Sequence, residues 1–391
     1  MSVSSSITNS SATAGTARVG QRHFLGRLAW FAAPYAVVVL MAGSVLALSG
    51  ETIPAGWVAR LQARGFEFLY LPAFTDHNYQ LKLQTARLMR PEALVIGGSR
   101  VNQFRRRMFG STSSYNACQV LYGQQDYRRF LEDLGEETPK TIIFSLDFYT
   151  FNSDYGDVFR HVSYGDISLW RDRELAVILK GITRSPEQLA FLAPPRDPVS
   201  GVTALGLQAA KTGNGFRSDG SYQYGLILRG RPNSGAVTSA AGVERVRQGA
   251  VPFIPAAHLG QSARAELKRF ADVASRKGIR LIAITTPLAP EVVDALDQSS
   301  DQGAWREFNS PEFADWVAAL GIKHFNFARI EIFAGRKSEF MDAFHASETA
   351  YDRMMLHMLR DPAFRALVPG ADPASIEGHI LASDQSSRSL K

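Results

Sequence analysis

The sequence predicts an α/β fold with a central parallel sheet, helices on both of its faces, one membrane-spanning helix before it and a long insertion within it. Three observations support this prediction. Short apolar runs alternate with amphipathic segments, an uncharged apolar stretch lies near the N-terminus, and about 100 residues separate the second and third apolar runs. The chain has 391 residues and is 45% hydrophobic, which suffices for one large core.

The stretch 28–48 reads LAWFAAPYAVVVLMAGSVLAL and contains no charged residue. At about 1.5 Å per residue it spans roughly 30 Å, the thickness of a bilayer's hydrocarbon core. Arginines at 18, 22 and 27 precede it, which predicts a disordered, cytoplasmic segment 1–27 and an external domain. A cleaved signal peptide is the alternative, but the run is long for one and has no clean A-x-A motif at its end.

The residues after the apolar stretch divide into a connection and a domain. Residues 49–90 carry helical periodicity and predict a helical connector, followed by an α/β domain at 91–365. The short apolar runs predict buried parallel strands at 93–98, 141–146, 280–286 and 324–327. Helices are predicted at 124–135, 261–277, 311–321 and 347–360.

Residues 153–260 do not fit this alternation. They are rich in Gly, Ser, Arg and Tyr, with one predicted helix near 171–180. Because a crossover needs far fewer residues, we predict an insertion over the carboxyl edge of the sheet, where ligands bind in such folds. Residues 366–391 lack periodicity and predict a polar tail.

Ser99 directly follows the first predicted strand, in Gly97-Gly98-Ser99-Arg100. A helix start at this point would place the hydroxyl at the carboxyl edge of the sheet, beside unpaired backbone N–H groups that stabilise an oxyanion. Gly98 would let a substrate carbonyl approach the backbone. The simpler interpretation is that Ser99 only caps a helix after a glycine turn.

Asp342 and His345 form the one D-x-x-H sequence in the chain. A hydroxyl nucleophile needs a general base, and the base needs an orienting carboxylate. In a turn before a helix, side chains three residues apart can share one hydrogen bond. A chain with eight histidines often contains such a pair by chance, so the motif alone is weak evidence for a catalytic pair. Its position near the end of the α/β region strengthens that evidence.

Three further polar residues are predicted near Ser99. Asn116 would donate its amide to the same oxyanion, or else serve as a turn residue. Asp147 and Asn152 follow the second strand and would face the cleft. For Asp147, bracing a loop is the more common role.

Other classes of function lack their signatures. The net charge of +6 is spread without a basic block, which argues against nucleic-acid binding. No G-x-S-x-G, P-loop, H-E-x-x-H or dinucleotide motif is present. The spacing of His161, His258 and His324 fits no metal site, and the single cysteine Cys118 allows none based on thiolates. We therefore predict no metal and no cofactor.

These features together resemble the SGNH hydrolase superfamily. Its first block is a strand followed by G-D-S or G-S-S, here Gly97-Gly98-Ser99, and its last block is D-x-x-H, here Asp342 to His345. More closely, the chain resembles membrane-anchored SGNH-like proteins of bacterial cell-envelope polysaccharide systems. In these a G-S-S-R-like turn, a Tyr-Asn second block and a strand ending in an Asp-aromatic stretch recur.

The resemblance covers about 91–152 and 261–360, and the stretch 215–222 is similar to insert segments of that group. It implies a three-layer α/β/α sandwich that hydrolyses or transfers acyl esters. It also implies a bacterial inner-membrane protein with a periplasmic domain, a polysaccharide or other acyl-ester substrate, and a membrane protein as acyl donor.

One departure from the family leaves two functions open. The third block, G-x-N-D, is absent, and Asp147 and Asn152 stand in its place. The first interpretation is an esterase or O-acetyltransferase with Ser99, His345 and Asp342 as a triad. The second is an inactive SGNH-like scaffold or binding subunit of a polysaccharide biosynthesis or export complex.

Overall fold

A computed structural model describes residues 11–73, 78–152, 154–155, 196–230 and 237–389. Within these ranges the helices are, in chain order, α1 (Ser11–Leu48), α2 (Ala55–Ala63), α3 (Asn78–Met89), α4 (Gln124–Leu134), α5 (Leu207–Thr212), α6 (Gly225–Leu228), α7 (Ser239–Gln248), α8 (Gln261–Arg276), α9 (Pro290–Gln298), α10 (Gly303–Phe308), α11 (Pro311–Ala319), α12 (Glu348–Leu359), α13 (Pro362–Leu367) and α14 (Pro373–Ser389). The strands are β1 (Phe68–Tyr70), β2 (Ala93–Ile96), β3 (Ser114–Ala117), β4 (Thr141–Ser145), β5 (Thr203–Leu205), β6 (Asn214–Phe216), β7 (Tyr222–Tyr224), β8 (Arg280–Thr285) and β9 (Ile322–Asn326).

The larger sheet has five strands in the order β3-β2-β4-β8-β9, and every neighbouring pair is parallel. The prediction of a parallel α/β sheet is therefore confirmed. Strand β3 was not predicted, because its sequence SYNA is too short and polar to show a buried run. The strand order reverses between β2 and β4, and ligands bind beyond the carboxyl ends of strands at such a switch point.

Both faces of this sheet are buried. Along β2, Leu94 and Ile96 belong to one hydrophobic cluster, which includes buried residues of α4, α8, α9 and α11. Ala93 and Val95 belong to a second cluster, which includes buried residues of α12, α13 and α14. This alternation explains why the strands are apolar throughout, since each fully buried aliphatic side chain contributes about 1.5–3 kcal/mol.

The first helix is longer than predicted. It runs unbroken from Ser11 to Leu48, so the predicted disorder of 1–27 is wrong from Ser11 onward; residues 1–10 lie outside the described ranges. Alanine and arginine favour helix, which lets the apolar segment extend toward the N-terminus. Its part Phe24–Leu48 has 25 residues, a mean hydropathy of 2.1 and no burial against the protein, and is long and apolar enough to cross a membrane.

A second sheet unites two segments that the sequence analysis treated separately. Its order is β5-β1-β6-β7, with β1 parallel to β5 and antiparallel to β6. Strand β1 comes from the connector 49–90, which was predicted to be wholly helical, and the other three come from the insertion. Strands of three residues are too short to reveal a period of two. The predicted helix near 171–180 lies outside the described residues.

The end of α1 is joined directly to this second sheet. The carbonyl of Ser49 accepts a hydrogen bond from the N–H of Gly206 at 2.6 Å. The Glu51 carboxylate accepts from the N–H of Leu207 at 2.8 Å and also from that of Ala73. Because Ser49 and Glu51 are buried, the domain begins immediately after the apolar helix.

The C-terminal segment is helical and packed. Helix α14 buries Ile376 and Ile380 in the second hydrophobic cluster, and its Asp384 forms ion pairs with Arg336 and Arg353. The predicted polar tail 366–391 is therefore wrong over residues 373–389. The two isoleucines are four residues apart, which places them on the same face of the helix.

Candidate active site

The turn that carries Ser99 begins where β2 ends. Gly97 and Gly98 lead into a 3-10 turn, Ser99–Val101. A Cβ on Gly97 would lie 2.6 Å from Ser145 Oγ and 2.8 Å from Val101 Cγ2, so a side chain there would displace the turn. The carbonyl of Gly98 accepts from the N–H of Gln119 at 3.3 Å, which ties the turn to the loop after β3.

Ser99, His345 and Asp342 form one continuous chain of hydrogen-bond contacts. His345 Nε2 lies 2.9 Å from Ser99 Oγ, although the two residues are 246 positions apart in sequence. His345 Nδ1 lies 2.9 Å from both Asp342 Oδ1 and Asp342 Oδ2. One ring nitrogen thus faces the hydroxyl and the other faces the carboxylate, which is the arrangement that general-base activation of a serine requires.

The local backbone holds the Asp342 carboxylate in place. Its Oδ1 accepts the N–H groups of Phe344 and His345, each at 2.8 Å, which closes an Asx-type turn. Burial acts to raise the pKa of Asp342, but the hydrogen bond from His345 and those two N–H groups outweigh it and lower the pKa. The carboxylate therefore remains ionised at neutral pH and is available to orient the imidazole ring.

Asn116 does not have the role predicted for it. Its Nδ2 donates to the carbonyls of Val101 at 2.8 Å and Phe104 at 2.9 Å, so both amide hydrogens are used inside the protein. Asn116 lies on β3, beside β2, and is 2% exposed. Its side chain holds the segment after Ser99 and offers no donor to an oxyanion.

Asp147 and Asn152 also brace the structure. The Asp147 carboxylate pairs with the Arg100 guanidinium, with Nη1–Oδ1 at 2.8 Å and both side chains 6% exposed. Burial raises the pKa of Asp147 despite this neighbouring cation. Asn152 donates to the carbonyl of Ile254 at 3.1 Å and accepts from the N–H of Asp154 at 2.9 Å. The described contacts of both residues are structural, which corrects their predicted place in the cleft.

The backbone N–H of Ser99 is the remaining candidate donor to an oxyanion. Ser99 is the first residue of its 3-10 turn, and the first N–H groups of such a turn have no partner within it. Gly98 precedes it without a side chain, and a Cβ there would lie 3.3 Å from the carbonyl oxygen of Leu121. A side chain at Gly98 would therefore crowd the loop after β3, and the role of Gly98 beside an oxyanion stays a prediction.

Tyr224, a residue that sequence reasoning missed, packs against the candidate base. Its ring centroid lies 5.9 Å from that of His345, with the planes tilted by 48°. Tyr224 comes from β7 of the second sheet, and its hydroxyl accepts a hydrogen bond from Asn102 at 2.8 Å. No sequence signal marks this contact, because it depends on where the second sheet docks.

Among the residues the structure describes, no group of three or more His, Cys, Asp or Glu is arranged to hold a metal ion. Of the histidines considered for metals, His258 faces Glu307, His324 faces Thr285, and His161 lies outside the described ranges.

Comparisons with protein-family models, with curated proteins and with solved structures find no match to this chain.

Proposed function

We propose that this chain is a membrane-anchored serine esterase or O-acetyltransferase of the SGNH type, which acts on acetyl esters of an exported cell-envelope polysaccharide. The observation that carries the proposal is the Ser99–His345–Asp342 chain, with 2.9 Å between Ser99 Oγ and His345 Nε2. Three residues from two distant segments meet in the order nucleophile, base and orienting carboxylate. Chance proximity of a Ser and a His would not also supply the carboxylate on the second ring nitrogen.

The chemistry follows from these contacts. His345 Nε2 takes the proton of Ser99 as its Oγ bonds to the acyl carbon, and negative charge moves to the carbonyl oxygen, facing the Ser99 N–H. Collapse of this intermediate expels the alcohol, which leaves with the proton held by His345. Water or a sugar hydroxyl then gives its proton to His345 and attacks the acyl-serine. When this second intermediate collapses, the bond to Ser99 Oγ breaks, Oγ takes the proton back from His345, and acetate or the new ester is released.

The architecture supports the SGNH assignment. The five-stranded parallel sheet places Ser99 after its first strand and Asp342 after its last, as in the resemblance drawn from sequence. Helices on both faces correspond to the three-layer sandwich of that superfamily. The apolar segment Phe24–Leu48 supports the anchored state, and the basic residues before it favour a cytoplasmic N-terminus and a periplasmic domain.

Turnover of an acetyl ester by full-length protein in detergent micelles tests the proposal. Ser49 and Glu51 are buried in the domain, so a fragment beginning at residue 55 would disrupt the fold. We expect Ser99→Ala and His345→Ala each to lower kcat by about 10³-fold or more. His258→Ala, at a side chain that is 84% exposed, is the matched control and should keep wild-type activity. Wild-type rates in both site variants would contradict the assignment.

A second candidate function is an inactive scaffold or binding subunit of a polysaccharide export complex. The observation that favours it is the engagement of Asn116, which leaves no side-chain amide for the oxyanion among the residues predicted to supply one. The two candidates differ in their response to a polysaccharide ligand. A scaffold would bind acetylated polysaccharide equally well in the wild type and in Ser99→Ala, without releasing acetate in either.

A further inference from the structure

We propose that Tyr224 is a positioning residue of the active site, through which the second sheet fixes the imidazole of His345 against the nucleophile turn. The inference rests on the function proposed above and adds to it a residue from outside the triad. Tyr224 lies on β7 in the insertion, whereas the triad residues flank the parallel sheet.

Tyr224 contacts the ring of the candidate base and the residue that follows the nucleophile turn. Its ring packs against His345, and its hydroxyl accepts a hydrogen bond from the side-chain amide of Asn102 at 2.8 Å. Asn102 directly follows the turn Ser99–Val101, and its own N–H is bonded to the Ser99 carbonyl at 3.2 Å. One side chain thus joins the turn of the nucleophile to the ring of the base.

The strand that carries Tyr224 is itself fastened to the same segment. The N–H of Tyr222 donates to the Asn102 carbonyl at 2.9 Å. The amide of Gln103 donates to the carbonyl of Tyr222, also at 2.9 Å. Tyr222 and Tyr224 are 9% and 8% exposed. Since the backbone of Tyr222 and the hydroxyl of Tyr224 are both bonded to this segment, the Tyr224 ring has a fixed position relative to Ser99.

A fixed aromatic ring at this position has two physical effects. Asp342 and Ser99 hold the imidazole through Nδ1 and Nε2, but these hydrogen bonds lie in the ring plane and resist tilting of that plane only weakly. The Tyr224 ring restricts that tilt. When His345 takes the proton of Ser99 it becomes a cation, and an aromatic neighbour stabilises a cation by its negative face. Among the described residues, the groups in contact with the His345 ring are Asp342 on its own loop, Ser99 on the turn after β2, and Tyr224 on β7.

The test compares three variants of the full-length protein. Tyr224→Leu removes the ring, Tyr224→Phe retains it without the hydroxyl, and Tyr222→Leu is a matched control on the same strand. The Tyr222 ring packs on Tyr224 at 5.0 Å and on Phe216 at 5.3 Å, so its loss also weakens the sheet. Acetyl-ester turnover is measured against pH, together with thermal stability.

We expect Tyr224→Leu to lower kcat by about tenfold and to move the acidic limb of kcat/KM to lower pH by about half a unit, the size of an aromatic–cation contact. In Tyr224→Phe, the acidic limb of the pH profile of kcat/KM should stay at its wild-type position. Tyr222→Leu should lower the melting temperature without moving this limb. If Tyr224→Leu does not fold, Tyr224→Met, whose longer and more flexible side chain adapts better to the site, permits the same comparison.

If the acidic limb of kcat/KM does not move in an active Tyr224→Leu protein, or moves equally in Tyr222→Leu, the positioning role of Tyr224 is overturned. Either result would leave the proposed triad unaffected. A wild-type protein that neither turns over esters nor reacts at Ser99 with a fluorophosphonate would overturn the proposed function, and this inference with it.

Discussion

Substituting Arg100 by methionine removes the cation that faces Asp147 beside the nucleophile turn. Both side chains are 6% exposed, and the pair is closed at 2.8 Å. Without Arg100, the least costly response of the buried carboxylate is to take up a proton. From an ordinary Asp pKa of about 3.9, protonation at pH 7 costs about 4 kcal/mol, which agrees with the 3–5 kcal/mol lost on breaking buried ion pairs.

Asp147→Asn makes the converse change and differs in its pH dependence. The arginine left behind cannot lose its proton, so the variant costs about 3–5 kcal/mol at every pH in the working range. Where the wild-type Asp147 carboxylate, paired with Arg100, is ionised, the folded Arg100→Met variant carries up to one proton more than the wild type. Its deficit in unfolding free energy therefore shrinks by at most about 1.4 kcal/mol for each pH unit below 7.

Denaturant unfolding of the full-length protein in micelles, followed by tryptophan fluorescence at pH 7 and pH 5, measures both effects. The Arg100→Met deficit should fall by up to roughly 3 kcal/mol between the two pH values, and the Asp147→Asn deficit should not fall. Arg100→Met combined with Asp147→Leu should recover most of the loss, because no unpaired charge remains. A pH-independent deficit in Arg100→Met, or a deficit below about 1 kcal/mol in both single variants, would refute the reasoning.

Three further predictions follow from the same geometry. Asp342→Asn presents an amide to Nδ1 of the base, and steady-state kinetics should show kcat lowered by about 10³–10⁴-fold. Asp219 is buried, which alone would raise its pKa, but Arg105 and the Ser221 hydroxyl lower it to about 2. Because this pKa lies below that of the unfolded chain, the carboxylate stabilises the fold above about pH 4. The free energy of unfolding should therefore fall by about 2 kcal/mol between pH 4 and pH 2. Asp219→Asn should remove this part of the pH dependence. Asn116→Ala leaves two carbonyls without their donor and should lower the free energy of unfolding by about 1–3 kcal/mol. A fall in kcat of about 10²–10³-fold would instead indicate the oxyanion role that the structure argues against.

The parallel sheet was predictable because its strands are buried on both faces. Strands such as β4, with sequence TIIFS, and β8, with RLIAIT, are apolar throughout and stand out from the amphipathic helices around them. The sequence failed where strands are short or polar. Strand β3 and the whole second sheet have three or four residues per strand, and their pairing depends on contacts between distant segments.

The candidate site divides in the same way. Ser99 and the Asp342–His345 pair were predictable, because a strand–glycine–serine turn and a D-x-x-H turn are local motifs. The hydrogen-bond partner of each remaining polar side chain could not be predicted. Asn116 and Asp147 have residue types suited to a cleft, but their contacts are decided by Val101, Phe104 and Arg100, which only the folded chain brings near. Tyr224 was missed for the same reason.

Covalent labelling by a fluorophosphonate, with the modified residue located by mass spectrometry, tests the central claim most directly. If Ser99 is activated by His345, full-length protein is labelled at Ser99, and His345→Ala abolishes the labelling. Folded wild-type protein that stays unlabelled at Ser99, or a His345→Ala variant that is labelled as fast as the wild type, would contradict the account.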